Sequence, residues 1–242
     1  MRLDGQVVAV IGGSSGIGLG IAKAAAEAGA RVVVAGRTAA KLEAALREIG
    51  GAGAVEALEL DATDERAVLR FFDAVGAFDH LVATAAAGLP FGPFAGLDMA
   101  AFRQGFDGKF WAFTHALRHA LPTLRRDGSV TLVTGAAARA AMPGAAGVAA
   151  VNGAIQSMVP VLGRELAPLR VNALSPGVVD TPVWSGMSGE ARQAMYRQAA
   201  ERLPVGRIGT PADLGEAALF LMTNGYTTGI VLDVDGGARL GG

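Results

Sequence analysis

The sequence predicts an α/β fold, a doubly wound parallel sheet of about seven strands with helices on both faces. Three observations predict it. Short, fully apolar runs recur along the chain, and such runs belong to strands buried on both faces. Amphipathic stretches of helical length separate them, which is the alternation of a parallel sheet with crossover helices. No repeat and no Pro/Ser-rich linker interrupts the series, so residues 1–242 are expected to form one domain.

The elements follow in order. Residues 6–11 are the first apolar run, closed by Gly12 and Gly13. Residues 16–28 have helical character, stopped by Gly29 and Ala30, and residues 31–35 are a second, β-branched run. Residues 38–49 read as a helix with Thr38 at its N-cap. Strand-like runs at 54–60, 79–84, 129–134 and 170–174 then alternate with helical stretches at 64–74, 98–124 and 145–166. A helix over 211–222 precedes a last strand at 230–234. The long non-strand insertion, residues 176–209, is a natural place for a lid.

Composition narrows the class. Hydrophobic residues make up 51% and charged residues 18%, which excludes a disordered, solvated chain. The 35 glycines show neither collagen period nor low-complexity runs. With 21 basic and 22 acidic residues the chain lacks the electrostatic footprint of a nucleic-acid binder. It has no cysteine, which excludes disulfides, thiolate metal sites and cysteine nucleophiles. No apolar run is read as long enough to cross a membrane, and a strand-like run begins within the first few residues, where a signal peptide would lie. A cytoplasmic protein is expected.

The most informative motif follows the first strand: Gly12, Gly13, Ser14, Ser15, Gly16, Ile17 and Gly18, opening into a helix. Glycines let the backbone approach a pyrophosphate, and the helix N-terminus offers free N–H groups and a positive dipole end. Ser14 and Ser15 add hydroxyl donors. A glycine-rich turn with no ligand is the plainer reading, but the position, between first strand and first helix, favours a nucleotide site.

The spacing Gly-x-x-x-Gly-Ile-Gly resembles the short-chain dehydrogenase/reductase family, whose fold is Rossmann-like. The resemblance runs through nearly the whole chain. Leu60-Asp61-Ala62 is similar to the family's third-strand end, which implies that Asp61 and Ala62 hold an adenine. The sixth strand, its Pro176-Gly177 turn and the following Val178-Val179-Asp180-Thr181-Pro182 also match, implying that Pro176, Gly177, Val179 and Thr181 lie against a nicotinamide and its phosphates. Ala85, in the segment after the fourth strand, and Asn152 are implied at the cofactor as well. Asp233-Val234-Asp235-Gly236-Gly237 resembles the last strand and its turn. Ile11 stands where the family usually has Thr.

The second strand ends in Gly36, Arg37 and Thr38. A carboxylate at this place would bind a ribose 2′-OH and select NAD. Gly36 supplies none, and the Arg37 guanidinium suits a 2′-phosphate, with Thr38 adding a hydroxyl. NADP(H) is therefore expected in preference to NAD(H), although a lone Arg is also a common solvated charge.

The family resemblance implies a Ser-Tyr-Lys trio and an Asn from the long fourth helix. Here those positions hold Gly135, Val148, Asn152 and Lys109. The only tyrosines are Tyr196 and Tyr226, so no shift of alignment restores the trio. The catalytic residues are left unknown, with Lys109 and Thr134 as weak candidates: Lys109 as a cation or desolvated base, or a plain surface lysine; Thr134 as a hydroxyl donor, or a structural strand end. His115 and His119 have the spacing of a metal pair but no third ligand, so no metal is expected. His80 falls at the end of the sheet away from the site. Trp184, Met187, Met195 and Tyr196 line a pocket or seal the lid.

Two readings of function stand. One is an NADP(H)-binding oxidoreductase with a non-standard active site and a small-molecule substrate the sequence does not name. The other is an inactive nucleotide-binding or regulatory homologue. The apolar stretches 98–124 and 145–166 further suggest a homodimer or homotetramer.

Overall fold

Val8, Val10, Val32 and Val34 are wholly buried, as strands covered on both faces require. They belong to β1 (Val7–Ile11) and β2 (Arg31–Gly36). The computed structural model describes residues 2–50, 54–84, 88 and 90–240. The further strands are β3 (Val55–Glu59), β4 (Phe78–Ala83), β5 (Leu124–Val133), β6 (Arg170–Pro176) and β7 (Val231–Val234). They form one seven-stranded sheet in the order β3-β2-β1-β4-β5-β6-β7. Every neighbouring pair is parallel. The chain winds outward in both directions from β1 and β4. Their carboxyl ends therefore flank the crevice where such sheets bind ligands.

The helices are α1 (Gly16–Glu27), α2 (Ala39–Ile49), α3 (Glu65–Val75), α4 (Met99–Gly105), α5 (Ala112–Ala120), α6 (Ala146–Glu165), α7 (Gly189–Arg202) and α8 (Pro211–Thr223). Alternate strand residues choose between two layers. Val8, Val10, Val32 and Val34 pack with Ile21 and Ala22 of α1, Leu42 of α2 and Leu221 of α8. Ala9, Ile11 and Val33 pack on the other side with Phe71 and Phe72 of α3, Phe113 of α5 and Ile155 of α6. Helices α1 and α8 touch closely through glycine: a Cβ at Gly20 would lie 2.4 Å from the Pro211 carbonyl oxygen. The Arg170 guanidinium holds the end of α8, donating to the Met222 carbonyl at 2.6 Å and also to that of Leu221.

Two elements differ from the sequence expectation, and a third fills in what it left open. The single helix expected over 98–124 is broken into α4, a π-helical turn (Phe106–Trp111) and α5. The wider turn carries Gly108 and Lys109 inward, where both are buried. The helix also stops early: the Thr123 N–H bonds the Ala120 carbonyl, and Leu124 already pairs with Phe78 as the first residue of β5. Residues 176–209, expected as a non-strand insertion, hold a helix, α7. Finally, α6 has 20 residues, with a mean hydropathy of 1.3 over an 18-residue window, enough by length and composition to cross a membrane, contrary to the expectation that no run is. Its Val151, Ile155 and Val159 are buried, Ile155 and Val159 against the sheet.

Candidate active site at the carboxyl edge of the sheet

The turn after β1 is built by backbone constraints. Gly12 and Gly13 both donate to the Ala35 carbonyl, at 2.9 and 3.1 Å, and Gly12 takes a φ of +81°, open to glycine at little cost. At Gly18 a Cβ would stand 2.2 Å from the Gly12 carbonyl oxygen, so α1 can start here only without a side chain. Thr84, just past β4, locks the turn from the other side. Its hydroxyl donates to the carbonyls of Ile11 and Gly12 at 3.0 and 3.1 Å. Ser15 is the N-cap of α1 in extended conformation, and its side chain makes no capping bond. The first-turn N–H groups of α1 thus lack a side-chain cap, in the arrangement that receives an anion. Ser14 lies beside this opening, and Ile17 packs back on the core. Thr181 closes over it: a Cβ at Gly16 would lie 3.2 Å from the Thr181 Cβ. Segments 165 residues apart in sequence, at Gly16 and Thr181, therefore meet.

At the end of β2, a Cβ on Gly36 would sit 2.8 Å from Ser14 Oγ. A side chain there would have to displace the Ser14 hydroxyl. Arg37 and Thr38 follow and are exposed, and Arg37 forms no ion pair among the described residues. Thr38 caps α2 by position only, with no side-chain bond. The Asp61 carboxylate accepts from the Thr63 hydroxyl at 2.7 Å and from the Thr63 N–H at 3.0 Å. These bonds, assisted by the nearby Arg37 charge, hold it below the usual carboxylate range. Ala62 is buried beside it. Ala85 lies outside the described residues.

Pro176 ends β6, paired in register with Val234. Gly177 passes so near Asp235 that a Cβ would lie 2.9 Å from its Cα. Val179 is buried, and its carbonyl accepts from Trp184 Nε1 at 3.0 Å. The Tyr196 hydroxyl on α7 donates to Asp180 Oδ1 at 2.8 Å, and burial followed by this bond pushes the phenol up. Tyr196 thus fastens α7 to the segment after β6, and its proton is committed.

Lys109 and Asn152, named separately in the sequence, are in contact. The Lys109 Nζ donates to Asn152 Oδ1 at 2.8 Å and to the Thr134 carbonyl at 3.1 Å. Asn152 Nδ2 donates to the Val148 carbonyl at 3.0 Å, and a Cβ at Gly135 would lie 3.2 Å from that nitrogen. Val148 and Asn152 share one face of α6, as their spacing requires. Gln156, one turn further, donates to Thr134 Oγ1 at 3.0 Å, and Thr134 Oγ1 donates to the Leu174 carbonyl at 2.9 Å. The Thr134 proton is therefore engaged within the sheet. Gln156 is the member of this network that the sequence reading missed; its signal is the same four-residue step that links Val148 to Asn152.

Lys109 is 3% exposed, and its ammonium faces no carboxylate among the described residues. Burial alone lowers it from the ordinary 10.5 to about 7. The Phe113 ring centroid lies 5.8 Å from Nζ.

The histidines lie elsewhere. His119 Nε2 pairs with Glu65 at 2.7 Å, and His115 Nδ1 is buried without a partner. No group of three metal-ligating side chains exists among the described residues. His80, near the amino end of β4, bridges Ser129 Oγ at 2.8 Å and Gln6 Oε1 at 2.7 Å.

Fold and site together define a nucleotide-binding α/β protein with an anion-receptive turn at the switch point of its sheet. Comparison with known proteins is specific. Residues 11–239 match the family model described as enoyl-(acyl carrier protein) reductase. A short-chain dehydrogenase/reductase, ATR9, of Stachybotrys chlorohalonatus is 32% identical, covering 98% of each chain. Galactitol 2-dehydrogenase (L-tagatose-forming) of Cereibacter sphaeroides is 35% identical over 98% of this chain and 96% of its own. A crystal structure of a small-chain dehydrogenase in complex with NADPH superposes with a TM-score of 0.84 at 37% identity, covering 98% of this chain and all of that one. The chain belongs to the short-chain dehydrogenase/reductase family of oxidoreductases.

Proposed function

We propose that this protein is an NADP(H)-dependent oxidoreductase of small carbonyl or alcohol substrates, working through a non-standard active site. The observation that carries this reading is the pairing of an uncapped α1 N-terminus with Gly36 and Arg37. The first receives a pyrophosphate; the second supplies no ribose-binding carboxylate and offers a free guanidinium to a 2′-phosphate. The NADPH complex of a 37% identical neighbour supports it. When bound, the dinucleotide supplies or accepts a hydride. On this reading Gly12, Ser14, Ser15, Gly16, Ile17 and Gly18 hold the pyrophosphate, Arg37 and Thr38 the 2′-phosphate, and Asp61 and Ala62 flank the adenine. Pro176, Gly177, Val179 and Thr181, with Asn152 across from them, face the nicotinamide half.

Gly135, Val148 and Asn152 occupy the places that the family resemblance assigns to Ser, Tyr and Lys, so the acid/base chemistry differs from the family's usual form. The whole chain acts as one domain, with residues 176–209 as a lid fastened by Tyr196 and Trp184. A second copy of the chain covers the aromatic cleft of about 310 Å³ lined by Phe102, Arg103, Phe106, Asp107 and Trp111.

The test is a tryptophan-fluorescence titration with NADPH and NADH, followed by a turnover screen on carbonyls and alcohols. Saturable quenching at lower NADPH than NADH concentration supports the reading. No response to either dinucleotide defeats it.

A further inference from the structure

We propose that Lys109 is the proton donor of this site, its amine held for that work by Asn152 and the carbonyl of Thr134. The proposal rests on the reductase reading above and names the group that reading leaves open.

The two hydroxyls that the site's hydrogen bonds engage are spent. Thr134 gives its proton to Leu174, and Tyr196 gives its own to Asp180. Gly135 and Val148 have none to give, and the amides of Asn152 and Gln156 are not acids at neutral pH. Lys109 differs. Its nitrogen makes two hydrogen bonds among the described residues, to Asn152 and Thr134. A neutral amine donates both of its N–H bonds in making them, which leaves one further position on the nitrogen. That position holds a lone pair or, in the ammonium, a third and transferable proton. The π-helical turn places this nitrogen at the ends of β5 and α6, on the face where Val148 stands in place of a phenol.

The surroundings favour release of the proton. Among the described residues, the groups that contact Nζ are the Thr134 carbonyl just past β5, Asn152 from α6 and the Phe113 ring from α5, and none is charged. Asp107 on the same π-turn is exposed and lines the aromatic cleft instead. An ammonium without a counter-ion in a buried place is an acid poised near neutrality, where general acid catalysis is most effective.

The carbonyl carbon gains a hydride, and so two electrons, from the reduced nicotinamide, which is oxidised. The carbonyl oxygen gains a proton as one Lys109 N–H bond breaks and an O–H bond forms. The product is an alcohol, and the neutral Lys109 amine recovers its proton from water.

The sequence makes a direct test simple, because its only lysines are Lys23, Lys41 and Lys109. Protein carrying 13Cε/15Nζ-lysine is titrated by NMR. One of the three signals should titrate near pH 7 and be missing in Lys109→Arg. In parallel, NADPH-dependent reduction of phenanthrenequinone is followed from about pH 5.5 to about pH 9. The wild-type rate should fall about tenfold per pH unit above the NMR midpoint. Lys109→Met and Lys109→Arg should each lower it by about 10²-fold or more while binding NADPH as the wild type does. If Lys109→Met fails to fold, Lys109→Arg, which keeps the charge, decides. A Lys109 signal that titrates only in the ordinary lysine range overturns the proposal. So do variants with undiminished rates, and so does a wild type that binds NADPH but reduces nothing. A wild type that binds no NADPH refutes the cofactor reading itself, and the proposal with it.

Discussion

The Lys109 Nζ lies 2.8 Å from Asn152 Oδ1, with both side chains buried and their positions 43 apart in sequence. Asn152→Lys alone would set two ammonium groups at this place. It should cost on the order of 3 kcal/mol in urea unfolding. Lys109→Asn with Asn152→Lys, which exchanges the pair, should recover most of that loss, because contacting residues couple. Adding Gly135→Ser and Val148→Tyr to the exchanged pair should then raise turnover of a simple ketone above the wild type. Additive losses in the double variant would show that the two positions do not interact.

His80 gives a pH dependence. Burial, the largest cause, lowers its imidazole from 6.5 to about 4, and the neutral ring bridges Gln6 and Ser129. Because the folded value lies below the unfolded one, this contribution to stability is complete above about pH 6.5 and is lost as the pH falls toward 4. His80→Gln lacks that titration. The stability difference between wild type and variant should shrink by about 2 kcal/mol between pH 6.5 and 4.5. A difference that stays constant across this window contradicts a buried neutral His80.

Two glycines of helical segments should respond in opposite senses. At Gly18 a Cβ would meet the Gly12 carbonyl at 2.2 Å and Thr84 Oγ1 at 2.6 Å. Gly18→Ala should therefore lower NADPH affinity at least about tenfold and cost about 1–3 kcal/mol. At Gly153 on α6 a Cβ meets nothing within 4 Å, and Gly153→Ala should add about 0.5–1 kcal/mol. Equal effects at the two sites, read by calorimetry and thermal unfolding, would show that the turn is not the constraint.

Much of this was legible because its causes are local. The glycine spacing from Gly12 to Gly18 states its own steric demand, and the apolar runs announce strands buried on both faces. The broken helix was not legible. Phe106-Asp107-Gly108-Lys109-Phe110-Trp111 keeps helical periodicity, and what holds Lys109 inward is its bonding to Thr134 and Asn152, which no local pattern encodes. The early start of β5 was hidden in the same way, since Leu124 is followed by charged residues and its strand character comes from pairing with Phe78. The site divides likewise: the glycine turn is a motif, whereas the lysine–asparagine contact is made by the fold.

The aromatic cleft beside the broken helix bears on assembly. Phe102, Phe106, Phe110 and Trp111 form a chain of ring contacts with centroids 5.0–5.8 Å apart, and Trp111 remains exposed. Trp111→Glu should convert a dimer or tetramer to smaller species in light scattering. A wild type that is monomeric at micromolar concentration contradicts this covering by a second copy.

On the proposed reading a dinucleotide is held at the α1 turn and chosen by Arg37. Calorimetric titration of the wild type and Arg37→Asp with NADPH and NADH tests this most directly. The wild type should bind NADPH about tenfold or more tighter than NADH, and Arg37→Asp should reverse the order, since a charge-assisted contact is worth about 1.5–3 kcal/mol. Equal binding of both dinucleotides by the wild type, or an unchanged order in the variant, would contradict it.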